Sequence, residues 1–216
     1  MEDARSEKQI ALYLTQMQEI KHRAAYIKTC MPGNIGRIEV ENLALQVRKI
    51  IELVAFSQIS IHLRKYKDRR SYIGDNYEED WNARSIFNNV KRLNPDSYPI
   101  PINPAFQVKP DGTKHFELLD KSSYLSKSQL LKLYDRCGGL LHADNPWKEH
   151  GSKCDNFKKD LPEKLELLKN LLNYHAILVN HWEEGISTTL LIAMNSLDDL
   201  PICHIGHGDG CSYLSK

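Results

Sequence analysis

The stretch Tyr134-Asp135-Arg136-Cys137-Gly138-Gly139-Leu140-Leu141-His142-Ala143-Asp144-Asn145-Pro146-Trp147 brings an arginine and a histidine close together near the end of an amphipathic pattern. A guanidinium is a forked, permanently charged grip for a phosphate, and an imidazole moves protons near neutral pH. Together, Arg136 and His142 could assist attack of a ribose 2′-hydroxyl on the adjacent phosphodiester without a metal. Residues six apart do not share a helix face, so the pair needs one of two arrangements. Either the helix ends before His142, as Asn145-Pro146 permits, or two copies of the segment meet in a dimer. Gly138-Gly139, poor in a helix interior, would let another backbone approach there. Trp147 and Tyr134 offer aromatic faces on which unpaired bases could stack, or plain packing surface. The bland alternative for Arg136 is a surface ion pair with Asp135 or Asp144, with His142 only ending a helix.

Helices must position these groups. Ser6-Glu7-Lys8-Gln9 reads as a capping box, after which Ile10, Tyr13, Leu14, Met17, Ile20, Ala24 and Ile27 recur at helical spacing until Met31-Pro32-Gly33. A second helix is predicted from about residue 39 to 65 on Leu43, Ala44, Val47, Ile50, Ile51, Val54 and Ile61. Arg48 and Glu52, four apart on it, form an intrahelical pair or orient a motif residue across the bundle. A shorter helix is expected over 78–93 with Trp81, Ile86, Phe87 and Val90 on its apolar side, where Glu78, Glu79 and Asp80 suit the positive helix start. Five prolines between Pro95 and Pro110 predict a loop, followed by a small hairpin, Ala105 to Val108 and Lys114 to Leu118, about a Pro110-Asp111-Gly112 turn. Ser126-Lys127-Ser128-Gln129 is a second capping box and opens the helix that carries Arg136. Another helix is expected to start at Asp160-Leu161-Pro162-Glu163, with proline at its first position. Residues 176–182, 186–194 and 201–205, with a Glu183-Glu184-Gly185 turn, then read as an antiparallel meander.

From Arg64 to Arg70 the chain reads Arg-Lys-Tyr-Lys-Asp-Arg-Arg. Cations favour a helix C-terminus for dipole reasons; the functional alternative is that Arg64, Lys65, Lys67, Arg69 and Arg70 contact phosphates. Cys203, His207 and Cys211 are evenly spaced and of zinc-ligating type, yet no CxxC knuckle accompanies them, so no metal is assigned and a mobile Gly-rich C-terminus is the better reading.

The 216 residues carry 29 Lys plus Arg against 28 Asp plus Glu, a net charge of +1, so any nucleic acid must be met by a local patch rather than by the overall field. A chain of this size can bury a core without disulfides or a structural metal. The charged N-terminus does not resemble a signal peptide, and the longest apolar run, Leu190 to Met194, is far below the roughly 20 residues of a membrane span. Five dispersed cysteines suit a reducing compartment, so a cytoplasmic location and no membrane contact are expected. Phosphate-loop, dinucleotide, nucleophile-elbow and H-E-x-x-H signatures are absent, which excludes the common NTPase, dehydrogenase, hydrolase and zincin classes, and no cofactor is expected.

Two long N-terminal helices followed by an Arg-(four to six residues)-His arrangement on a late helix resemble the HEPN superfamily over roughly residues 6–175. The resemblance implies a mainly α fold: an antiparallel helical bundle over 1–175 with a loop and hairpin insertion at about 95–120, and a β meander, 176–216, packed on it. It implies a metal-independent endoribonuclease acting as a homodimer on RNA, with Arg136 holding the phosphate and His142 as general acid or base. The setting would be a prokaryotic toxin–antitoxin or phage-defence system with an antitoxin or other defence protein as partner. Members lacking catalysis are binding or dimerisation modules for RNA, nucleotides or proteins, and Cys137, where active members commonly carry a polar residue, favours that alternative.

Overall fold

Periodic apolar residues drive the first two helices together. In the computed structural model, which describes residues 2–33, 35–143, 147, 152–181, 186–197 and 199–208, helix α1 runs Glu2–Cys30 and α2 Arg37–Ile61. The first starts upstream of the capping signature. Tyr13, Met17, Ile20 and Ile27 of α1 meet Val40, Leu43, Val47, Ile50 and Val54 of α2, all buried. Helix α2 is the centre of the molecule and also packs on the later helices.

The predicted second helix is two. At His62 (φ −105°, ψ 19°) the backbone N–H is shared between the carbonyls of Gln58 (3.2 Å) and Ile59 (3.0 Å), and α3, Leu63–Tyr72, starts beyond it. Such a bifurcated turn has no sequence signature comparable to proline or glycine. A 3₁₀ turn, Tyr77–Glu79, leads to α4, Ala83–Leu93, whose cap is Asn82 accepting from the Ser85 N–H at 3.2 Å. Trp81 therefore precedes the helix instead of lying on its apolar side.

The proline-rich stretch is not a loop: strand β1, Ile100–Val108, runs through it, with a bulge between Ile102 and Phe106 that accommodates Pro104. Strand β2, Lys114–Leu118, pairs with it as expected, and Gly112 takes φ +82° in the turn. Helix α5, Lys127–Leu140, opens with the full capping box of Ser126 and Gln129. Helix α6, Lys153–Leu172, begins a full two turns before the predicted start, and Pro162 lies inside it. Burial overrode the proline preference, because Phe157, Leu161, Leu168 and Leu172 make one continuous apolar stripe.

Strands β3 (Tyr174–His181), β4 (Ile186–Ala193) and β5 (Ile202–Gly208) form the meander. The hairpin is not a separate insertion. Ile100 pairs with Ala176 and Pro101 with His175, so all five strands join one antiparallel sheet in the order β2-β1-β3-β4-β5. The sheet shares its core with the helices through Ile177, Leu190, Ile192 and Met194, so the expected boundary at residue 175 separates no core. The fold is mainly helical, with a larger sheet than local pattern suggested. Among the described residues no helix is long and apolar enough to cross a membrane.

At the seam of helix and sheet, His175 is fully buried. Its Nδ1 donates to the Leu172 carbonyl (2.8 Å), which leaves Nε2 to accept from the Tyr13 hydroxyl (2.6 Å). Burial pushes the imidazole down to about 4, so it stays neutral at physiological pH.

Candidate nucleic-acid interface

Helix α5 buries Leu130, Leu133, Tyr134, Cys137 and Leu140, and this pattern turns Arg136 toward α6. There Arg136 Nη1 donates to Asp160 Oδ2 at 2.8 Å, and the guanidinium lies 5.5 Å from the centre of the Phe157 ring. The ion pair is open to water, with the two side chains 33% and 42% exposed. The carboxylate is neither of those expected: Asp135 pairs instead with Arg84 of α4, and Asp144 lies outside the described residues. The helix closes at Leu140, where the Leu141 N–H bonds the Gly138 carbonyl at 3.2 Å. His142 sits two residues beyond, exposed. Thus the helix does end before His142, and within one chain no hydrogen bond joins it to Arg136 among the described residues.

The opposite flank of α5 meets α2. Arg48 Nε bonds Glu52 (3.1 Å), its Nη2 donates to the Tyr134 hydroxyl (2.7 Å), and its guanidinium lies 4.2 Å from the centre of the Tyr134 ring. The Arg48/Glu52 pair is the intrahelical ion pair; across the bundle it grips Tyr134 of the motif helix and neither Arg136 nor His142 among the described residues. Burial raises the Tyr134 phenol, whose hydroxyl also donates to Glu52 Oε1 at 3.3 Å. Tyr134 is only 3% exposed, so it presents no stacking face. What approaches Gly138 is this arginine, not another backbone: a Cβ there would lie 2.6 Å from Arg48 Nη1. Cys137 is buried between the flanks, and burial pushes its thiol up to about 12 against the pull of Arg136 and Arg48. It remains protonated and is no nucleophile.

The basic helix α3 splits by face. Tyr66 and Arg70, one turn apart, point inward onto Asp80: the Tyr66 hydroxyl donates to Asp80 Oδ2 (2.7 Å), and Arg70 Nη2 donates to Oδ1 (2.9 Å) with Nε 2.9 Å from Oδ2. Arg70 also bonds Asp75 at 2.5 Å. Its side chain is 16% exposed, and it is a brace for the α3–α4 connection rather than one of the predicted phosphate contacts. Burial and the Asp80 bond push the Tyr66 phenol up to about 12. Arg64, Lys67 and Arg69 are exposed and Lys65 half-buried, so four of the five predicted cations remain on the outer face. Lys67 Nζ lies 5.7 Å from the centre of the Tyr77 ring.

Trp147 is exposed, and 144–146 and 148–151 on either side lie outside the described residues. Of the three residues considered as metal ligands, Cys203 is half-buried on β5 with its thiol pushed up to about 11 by burial; the His207 side chain and Cys211 lie outside the described residues. Among the described residues no group of three His, Cys, Asp or Glu is arranged to hold a metal ion.

No match is found for this chain among models of protein families, curated proteins or solved structures. The site therefore rests on its own geometry. Its elements are linked: Asp80 ties α3 to the residues before α4, and Arg84 ties the start of α4 to Asp135 of α5. Sequence reasoning missed Asp160, because the proline at 162 suggested a later helix start that left Asp160 at a terminus. It also missed the reach of Arg48 to Tyr134, which no local pattern encodes.

Proposed function

We propose that this chain is a HEPN-like, metal-independent endoribonuclease acting as a homodimer in the cytoplasm, in a prokaryotic toxin–antitoxin or phage-defence setting. The single supporting observation is that α5 ends between Arg136 and His142, with Arg136 in a water-exposed ion pair before its C-terminal rim, His142 exposed after it, and no hydrogen bond joining the two among the described residues. Two such rims facing each other supply two arginines and two histidines to one phosphodiester. One His142 takes the proton of the ribose 2′-hydroxyl as its oxygen forms a bond to phosphorus. The bond from phosphorus to the 5′-oxygen breaks, and the second His142 protonates that leaving oxygen. The products are a 2′,3′-cyclic phosphate and a 5′-hydroxyl, with no change of oxidation state. Arg136 holds the phosphoryl oxygens as charge gathers on them, exchanging the water-exposed Asp160 for the phosphate. The long α1–α2 hairpin with a late motif helix supports this reading.

The second reading is a non-catalytic module that binds RNA, a nucleotide or a protein. It draws on the buried, inert Cys137 thiol beside Arg136 and on the ion pair that already occupies that arginine.

The test incubates purified wild type, Arg136→Lys and His142→Ala with mixed RNA in EDTA and scores 2′,3′-cyclic ends. Wild type should cleave, and His142→Ala should lose roughly a hundredfold or more in rate with an unchanged melting curve. Arg136→Lys should fail too, since an ammonium does not reproduce the forked contact. RNA bound by the wild type without turnover would replace the nuclease by the binding module.

A further inference from the structure

Trp81 is the most unusual large side chain of this surface. An indole is worth burying, yet Trp81 is left 66% exposed. Its backbone is not loose. On one side Asp80 is clamped by Tyr66 and Arg70 of α3. On the other, Asn82 caps α4 through the Ser85 N–H, and Arg84 is paired with Asp135 of α5. The ring thus stands on a braced pedestal between two anchored neighbours, at the junction of α3, α4 and α5.

The surroundings state what could cover it. Outward-facing cations Arg64, Lys67 and Arg69, with half-buried Lys65, line the neighbouring helix, against Asp68 as the single acid of α3. Lys65, Arg69 and Tyr72 fall at positions i, i+4 and i+7, and Tyr72 is 91% exposed, so basic and aromatic groups share one stripe. On the 3₁₀-turn side Glu78 accepts from the Tyr77 hydroxyl at 3.2 Å and Glu79 from the Asn76 amide at 3.5 Å, neutral donors that leave both carboxylates charged, so the basic side of Trp81 is the α3 side. An apolar protein partner would not call for the basic outer face of α3 on one side of the indole; a polyanion with flat, unpaired rings does.

We propose that Trp81 is a base-stacking residue and that, with the outer face of α3, it holds single-stranded RNA leading toward the rim of α5. The inference rests on RNA being the ligand of the proposed nuclease and adds how the strand is held. Each base offers a π-face, so stacking on Trp81 is indifferent to sequence, while Arg64, Lys67 and Arg69 track the phosphates. A duplex, whose bases are already stacked, cannot use the indole.

The experiment measures anisotropy of a labelled, uncleavable 2′-O-methyl strand of about 12 nucleotides, with a duplex of the same sequence as control. Trp81→Ala should weaken single-strand binding roughly ten- to a hundredfold with the salt slope unchanged, and Trp81→Phe should stay within about threefold of wild type. Arg69→Ala should instead lower the slope of log K against log salt by about 0.7. Because Trp81 is exposed, its variants should melt with the wild type. Equal binding by Trp81→Ala and wild type, equal loss on duplex, or no binding by the wild type would overturn the proposal. Trp81-dependent binding without any cleavage would remove the nuclease reading alone; cleavage with no Trp81 dependence would remove this one alone.

Discussion

Arg70 and Arg136 are each an arginine paired with an aspartate, and the two pairs have opposite characters. Arg70 reaches Asp80 through two nitrogens, adds Asp75, and keeps 16% of its side chain in water. Arg136 makes one contact to Asp160, with both partners a third or more exposed. The same contrast separates the histidines, His175 sealed between Tyr13 and Leu172 and His142 open past the end of α5. Residue type does not decide which group is available to a phosphate or a proton; enclosure does. The inner pair and inner histidine hold the fold, and the outer ones can exchange partners.

The comparison breaks most visibly at Asp80. Asp80→Ala leaves the Tyr66 hydroxyl without its acceptor and a largely enclosed Arg70 with Asp75 alone, and should cost about 3 kcal/mol, a fall of roughly 6–12 °C in melting temperature. A melt within a degree or two of wild type would show that Arg70 is no brace. Next comes the pH profile. The unfolded His175 takes a proton below about pH 6.5, whereas the folded one refuses it until about pH 4. Stability is therefore full above pH 6.5 and falls by up to about 3 kcal/mol on acidification toward pH 4. Denaturant midpoints across that window should show the fall in wild type and in His142→Ala, and lose that component in His175→Gln. The smallest effect belongs to Asp160→Ala, less than about 1 kcal/mol of stability, with RNA binding retained or tightened because the phosphate no longer competes with a carboxylate. A loss as large as that of Asp80→Ala would erase the distinction between the two arginines.

What was legible in the sequence was what local periodicity and capping encode. The α1–α2 hairpin, the capping box of α5, the tip of the β1–β2 hairpin and the three strands of the meander all follow from spacing and turn chemistry. What was not legible depends on distant packing. Nothing local marks His62 as a break, and Pro162 marks a start the helix does not observe because Phe157 and Leu161 are needed in the core. Prolines at 101 and 104 spoke against a strand that the partner β3 and a bulge make tenable. At the site, Arg136, His142 and the outer cations of α3 were legible by type. The roles of Arg70 and Tyr134 were not, since they follow from which neighbour encloses each one, and neither was the exposure of Trp81.

The pairing of Ile100 with Ala176 and of Pro101 with His175 has a consequence for the order of events in folding. These residues bracket the whole of α5 and α6, so the sheet is completed only when both helices have been gathered between its strands. The α1–α2 hairpin, built from neighbours in sequence, can assemble early and at little entropic cost, whereas closure of β1 on β3 waits for the longest loop between any two paired strands of the sheet. The segment that bears Arg136 and His142 thus lies inside the loop that the longest-range pairing of the sheet closes, and it is drawn into place as that seam forms.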